Sequence, residues 1–193
     1  MTSPVPRLLI DTCSIINLSY CAPVGSVFRS RYEGVAGWVR ATQAELVRQR
    51  SRRPPHPQAG RAGNWAASWL GMPIEMADEN LLVTTESIQR AIAAGYTDSA
   101  LDHLGEAASI ALLQSVGKGR LISDDHAARA ESRKRGVKAS STVGVITQLL
   151  TVAGSGVDPT MADTYLHTLR ARQRMHAQLT SIDLLAGDLG PWH

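Results

Sequence analysis

The sequence predicts an α/β domain built on a parallel sheet, and three features predict it. Residues 7–10 and 120–123 form short apolar runs, too brief for helices, and each ends on aspartate: Asp11 after the first, the pair Asp124 and Asp125 after the second. From residue 120 to residue 153, strand and helix patterns alternate at the spacing of parallel strands joined by helices. Ligands of such sheets bind beyond the carboxyl ends of the strands. If the two aspartate-ended strands are neighbours, Asp11 and the 124–125 pair meet although more than a hundred residues separate them.

The remaining elements follow in order. Residues 14–18 read as a short helix, then an irregular stretch runs through Ala22, Pro23 and Gly25, and residues 35–39 read as a strand. Thr42 followed three residues later by Glu45 has the spacing of a capping box, which would give Glu45 a structural task; the rival reading turns Glu45 toward Asp11. Residues 51–63, S-R-R-P-P-H-P-Q-A-G-R-A-G, form the clearest break, because prolines cannot continue a helix or a central strand. A short helix at 64–70 and a strand at 72–76 precede a helix capped by Thr84 or Thr85 and ending at Gly95. The next helix starts between Thr97 and Leu104, runs to Val116, and carries Glu106 in its first turn. Gly117-Lys118-Gly119 is a turn and lacks the spacing of a phosphate loop. A basic helix spans 126–135, closed by Gly136, followed by a strand at 137–141 and a helix at 142–153. Asp158-Pro159 has the N-cap and first-turn proline of a helix to residue 179, and a last helix covers 181–189. The expected organisation is one domain over residues 1–153, with a basic, proline-rich loop at 48–63, and a helical extension over 154–193 packing on the domain or on a partner.

The 193 residues can bury a real core, and with a single Phe that core is expected from Leu, Ile, Val and Ala. No stretch approaches the eighteen apolar residues of a membrane span, and the N-terminus M-T-S-P-V-P-R lacks the pattern of a signal peptide, so a cytoplasmic protein without membrane contact is expected. Cys13 and Cys21 give neither a disulfide framework nor a metal-ligand spacing, and the six histidines show no zinc pattern. The net charge is only +3, yet eight arginines lie between Arg29 and Arg61 and seven basic residues between Lys118 and Lys138. Such clustering suits a polyanionic substrate, and it equally suits a solvated surface.

Asp11, Glu106 and Asp124 or Asp125, with Glu45 as a further candidate, are acids with no basic partner fixed in sequence. Packed together they would repel and raise one another's pKa. A divalent cation resolves this, and oxygen ligands select Mg²⁺ or Mn²⁺. Such ions activate water and stabilise a leaving oxygen, which is the chemistry of phosphodiester hydrolysis.

The segments L-L-I-D-T-C-S-I-I-N-L at 8–18, T-Q-A-E-L at 42–46, L-G-E-A-A-S-I-A-L-L at 104–113 and L-I-S-D-D-H-A-A-R at 121–129 resemble the PIN-domain nucleases, including VapC-type toxins of bacterial toxin–antitoxin systems. The resemblance covers residues 7–150 in order. It implies a PIN-like (Rossmann-like) three-layer fold, a Mg²⁺- or Mn²⁺-dependent endoribonuclease, and Asp11, Glu45, Glu106 and Asp125 as the catalytic acids. Asp124 stays beside Asp125 as a metal ligand, since one residue of register exchanges them. Cys13 stands where many members carry Asn or Ser, so the supporting polar role passes to Thr12 or Ser14, with Ser123 beside them. RNA contacts are expected from Arg48, Arg52, Arg53, Lys118, Arg129, Arg133 and Lys134. A cognate antitoxin protein and a homodimer are the further partners that the resemblance raises.

Two other enzyme classes fit less well. Haloacid-dehalogenase-like phosphatases want Asp-x-Asp after the first strand, and Asp11-Thr12-Cys13 lacks the second acid. Receiver domains want paired acids early in the chain, whereas this pair is late. A catalytically inactive RNA- or partner-binding module is the non-enzymatic alternative, against which the full set of acids argues.

Overall fold

The computed structural model describes residues 5–93, 102–175 and 178–186. Four strands, β1 (Leu8–Ile10), β2 (Ala36–Gly37), β3 (Arg120–Ile122) and β4 (Lys138–Ser140), form one sheet in the order β2-β1-β3-β4 with every pairing parallel. Leu8, Leu9 and Ile10 pair with Arg120, Leu121 and Ile122. The two strands that end on aspartate are therefore neighbours. The backbone N–H of Asp11 continues this ladder by donating to Ile122 O at 3.0 Å.

In chain order the helices are α1 (Thr12–Tyr20), α2 (Ala22–Tyr32), α3 (Arg40–Ser51), α4 (Ala59–Leu70), α5 (Glu79–Ala93), α6 (Leu104–Val116), α7 (His126–Lys134), α8 (Thr142–Leu150), α9 (Pro159–Ala171) and α10 (Ser181–Ala186). Successive strand residues point to opposite faces. Leu8, Ile10 and Ile122 therefore pack with Ile15, Phe28, Trp69, Val143 and Tyr165, while Leu9 and Leu121 pack with Ile88, Ile110, Leu113 and Ala128. Helices cover both faces, giving an α/β arrangement of three layers compatible with a Rossmann-like fold. Parallel strands buried on both sides require this apolar, non-alternating composition. The helical extension shares the core: Leu166, Leu169 and Leu184 are fully buried in the first cluster. Burying each such side chain contributes about 1.5–3 kcal/mol.

Three strands hand over directly to helices through a capping side chain. Asp11 accepts from Ser14 N at 2.7 Å to start α1, Asp125 from Ala128 N at 2.9 Å to start α7, and Ser141 from Gly144 N at 2.9 Å to start α8. Asp158 likewise accepts from Met161 N at 2.8 Å, with Pro159 in the first turn of α9. Each cap satisfies an amide that the first helical turn leaves without an intrahelical partner.

Several boundaries differ from the sequence expectation. The stretch after Cys21 is the helix α2, because Pro23 stands in its first turn, where a missing N–H costs nothing. The proline-rich break shrinks to residues 52–58, with Ser51 ending α3 and Ala59 opening α4. Residues 72–76 make only a bridge, Ile74 beside Val39, with Ile74 N donating to Trp38 O at 2.9 Å. Helix α5 starts at Glu79, where Asp78 accepts from Asn80 N and Leu81 N; Thr85 lies within it and donates to Leu81 O at 2.7 Å. Helix α9 ends at Ala171 rather than at residue 179. The expected helix end at Gly95, the start at Thr97 and the last residues of the final helix fall outside the described residues. Among the described residues no helix is long and apolar enough to cross a membrane.

Candidate metal centre at the carboxyl ends of the strands

The acids converge where the sheet topology places them. Ligand atoms of Asp11, Cys13 and Glu106 lie within 4.8 Å of one another, and so do those of His103, Glu106 and Asp125. Glu106 belongs to both groups and links them. It sits in the first turn of α6, whose packing on α3 is close: a Cβ at Gly105 would lie 2.9 Å from Thr42 Oγ1 and 3.3 Å from Thr42 Cα. Only glycine lets the helix carry Glu106 so near α3.

Asp11 is fully buried, with Oδ1 accepting from Ser14 N and Oδ2 accepting from Ser123 Oγ at 2.5 Å. Burial pushes its carboxyl up to about 7; the hydrogen bond from Ser123 opposes this, and the charge of Asp124 adds to it. Burial, together with the charges of Asp11, Glu45 and Asp125, also pushes Glu106 well above the usual carboxylate range. Its Oε2 is buried and has no hydrogen-bond partner among the described residues. A buried carboxylate oxygen without a donor is costly to leave so.

Glu45 does not cap its helix. The N-terminus of α3 lies at Arg40, with Val39 in the cap position and no side-chain cap bond. Glu45 Oε2 instead accepts from Thr12 Oγ1 at 2.8 Å, and Oε1 accepts from Gln49 Nε2 at 3.1 Å. Of the two readings open in the sequence, the structure realises the one that turns Glu45 toward the acids.

Asp124 and Asp125 have different surroundings. Asp124 accepts from Asn17 Nδ2 at 2.7 Å, from Thr142 N at 2.8 Å and from the Thr142 hydroxyl, which in turn accepts from Tyr165 Oη at 2.7 Å. Asp125 caps α7 through Oδ1 while its Oδ2 lies 3.5 Å from His103 Nδ1. Asp125 is thus the member that joins Glu106, and Asp124 acts on Asp11 through its charge. Ser123 ties the set together, donating to Asp11, accepting from Asp125 N at 3.1 Å and presenting its carbonyl to Arg129 Nη1 at 2.9 Å. Thr12 supports Glu45 through its hydroxyl, whereas Ser14 supports Asp11 through its backbone amide.

The basic residues divide. Arg129 is 1% exposed and bonded to the Ser123 carbonyl, so the expectation that it contacts RNA is corrected: it braces the strand end from inside. Lys118 precedes β3 whereas the acids follow it, so Lys118, though exposed, lies at the opposite end of the sheet. With Arg120, Arg135 and Lys138 it lines a separate cavity of about 540 Å³. Arg133 and Lys134 are exposed in the last turn of α7, about 13 Å along the axis from its capped start. Arg48 and Arg52 reach Asp102 Oδ1 at 3.2 and 3.4 Å, next to His103, and Arg53 is exposed.

Sequence reasoning missed His103, Asn17 and Arg174, and set Cys13 aside. His103 stands three residues before Glu106, a spacing that places both at the start of one helix. Asn17 follows Ser14 at the same spacing on α1. Arg174, whose Nε donates to Asn17 Oδ1 at 2.9 Å, comes from the extension, and no local pattern announces it. Burial, and then the carboxylates of Asp11 and Glu106, push the Cys13 thiol well above its ordinary value.

The site suits a hard divalent cation. It offers carboxylates from β1, β3 and α6, one of them with an oxygen awaiting a partner, and an imidazole at its edge. Compared with protein-family models, curated proteins and solved structures, the chain matches none.

Proposed function

We propose that the protein is a metal-dependent ribonuclease that hydrolyses phosphodiester bonds within RNA, with Mg²⁺ or Mn²⁺ held by Asp11, Glu106 and Asp125. The observation that carries this reading is the convergence of buried acids on the unpartnered Glu106 Oε2, a grouping that burial and mutual repulsion make unfavourable without a cation. A bound divalent cation supplies an activated water and neutralises charge on the leaving oxygen.

The chain's own residues have separable tasks. Ser14 N and Ser123 Oγ fix both oxygens of Asp11, and Thr12 and Gln49 fix Glu45 at the rim of the cluster. Glu45, half-buried and near enough for its charge to act on Glu106, would accept a proton from an attacking water. The resemblance to PIN-domain nucleases supports RNA as the substrate class, and an antitoxin partner would follow from the toxin branch of that family.

The test is incubation of a mixed RNA pool with the purified protein in Mn²⁺, in Mg²⁺ and in EDTA, alongside Asp11→Asn. Metal-dependent cutting that the variant loses is the expected result. A folded protein that cuts under none of these conditions and binds no Mn²⁺ would overturn the reading.

A further inference from the structure

We infer that Arg174, delivered by the helical extension, binds a phosphate of the substrate at the acidic site, so that the site is built jointly by the strand ends and the extension. The inference rests on the ribonuclease reading and deepens it. The end of α9 is shaped to deliver this side chain. Gln173 N donates to Arg170 O at 2.9 Å and Arg174 N donates to Leu169 O at 2.8 Å, the paired bonds of a helix that ends through a left-handed residue. That residue is Gln173, with φ of 55°, where glycine is the usual occupant. A left-handed glutamine persists only where surroundings fix the turn. Arg172 supplies one anchor by lying 5.4 Å over the Tyr20 ring, and Tyr165, about two turns earlier, supplies another by bonding to the Thr142 hydroxyl that holds Asp124.

The guanidinium is held beside the acids without being neutralised by them. Arg174 Nε donates to Asn17 Oδ1 at 2.9 Å, and the same amide donates through Nδ2 to Asp124 Oδ2 at 2.7 Å. Asn17 therefore stands between cation and carboxylate. Among the described residues Arg174 forms no ion pair with an acid. It lines a cavity of about 220 Å³ together with Cys13, Asn17, Asp124, Asp125 and Gln173. One wall of that cavity carries the carboxylates and another carries the guanidinium. A phosphodiester entering it meets repulsion from the first wall, which a metal offsets, and planar donors matched to phosphate oxygens on the second. A role confined to propping Asn17 would not need the guanidinium to line a cavity that Asp124 and Asp125 also line.

The experiment compares the full-length protein with Arg174→Gln and Arg174→Lys. It measures binding of a short single-stranded RNA across a salt series in the Asp11→Asn background, Mn²⁺ affinity in the otherwise unaltered protein, and the separate effects on KM and kcat for RNA cleavage. We expect Arg174→Gln to weaken RNA binding about tenfold and to lower the salt slope by about one, with Mn²⁺ affinity unchanged. Arg174→Lys should recover the salt slope and part of the affinity, because it restores charge without the planar fork. RNA binding and KM in Arg174→Gln equal to the parent, in a parent that cuts RNA, would overturn the inference alone. Parallel loss of Mn²⁺ binding and RNA binding, not restored by lysine, would also overturn it by reducing Arg174 to a prop for Asn17 and Asp124. A folded parent protein that cuts no RNA and binds no Mn²⁺ would instead overturn the ribonuclease reading on which the inference stands.

Discussion

Thr12 Oγ1 donates to Glu45 Oε2 at 2.8 Å, joining the first residue of α1 to the second turn of α3 across 33 residues of sequence. The bond turns Glu45 toward the acids and away from its own helix terminus. Thr12→Val, which keeps the shape and removes the donor, should lower RNA cleavage about tenfold while leaving the Tm within a few degrees. Thr42→Ala is the companion. A capping threonine costs about 1 kcal/mol when truncated, but Thr42 caps nothing here, so a smaller change in denaturant midpoint is expected.

The acids set a pH dependence in metal-free protein. The ordinary carboxyl of Asp11 lies at 3.8, and burial raises it to about 7 in the folded state, so the folded protein binds more protons than the unfolded chain between those values. Stability from this group is fully present below the lower value and is lost as pH rises through the higher one; Glu106 shifts in the same direction. In EDTA the Tm should therefore fall from about pH 4 to about pH 7, the interval between the two values. Mn²⁺ should reverse much of that fall, and Asp11→Asn should flatten the profile. A Tm that rises across this window in EDTA would contradict the buried placement of the acids.

Gly105 limits how near α6 can come to α3. Gly105→Ala places a Cβ 2.9 Å from Thr42 Oγ1, too close for either to stay, and shifts the adjacent Glu106. Overpacking of this kind costs about 1–3 kcal/mol. We expect that loss of stability, with weaker Mn²⁺ binding, in a denaturant and metal titration. Adding Thr42→Ala should recover part of both, since it removes the nearest atom.

His103 adjoins Asp125 and Glu106 and adopts a left-handed backbone, with φ of 62°. His103→Asn preserves that backbone, because asparagine tolerates it, and removes the imidazole. Imidazole suits transition metals better than Mg²⁺. The variant should lose several-fold in Mn²⁺ affinity and little in Mg²⁺ affinity. Equal losses for both ions would place His103 outside the ligand set.

Arg129 and its exposed neighbours should separate in assay. Arg129→Met removes the brace on the Ser123 carbonyl from the interior and should destabilise by about 1–3 kcal/mol. Neutralising Arg133 and Lys134 together should leave the Tm within a few degrees and reduce the salt dependence of RNA binding. Unchanged salt dependence would make that end of α7 a solvated face.

Local chemistry written in the sequence determined the strands and their caps. Apolar runs ending at Asp11 and at Asp124-Asp125 are strands followed by capping carboxylates, and Asp158-Pro159 starts a helix, because a capping bond spans only three residues. The alternation of strand and helix likewise announced a parallel sheet. Tertiary structure decided what the polar side chains do once the elements pack. Glu45 chose the Thr12 hydroxyl over its own helix end, Asp124 took Asn17 from 107 residues away, and Arg174 reached Asn17 across 157. Arg129 carries the same charge as Arg133 and, four residues earlier, shares its face of α7, yet one lies inside and the other outside, because neighbouring elements cover one turn of that face and not the next. A capping spacing or a basic run fixes a residue's type and its neighbours along the chain. Its partner is fixed by which elements the buried apolar faces bring together, and that information is spread over the whole sequence.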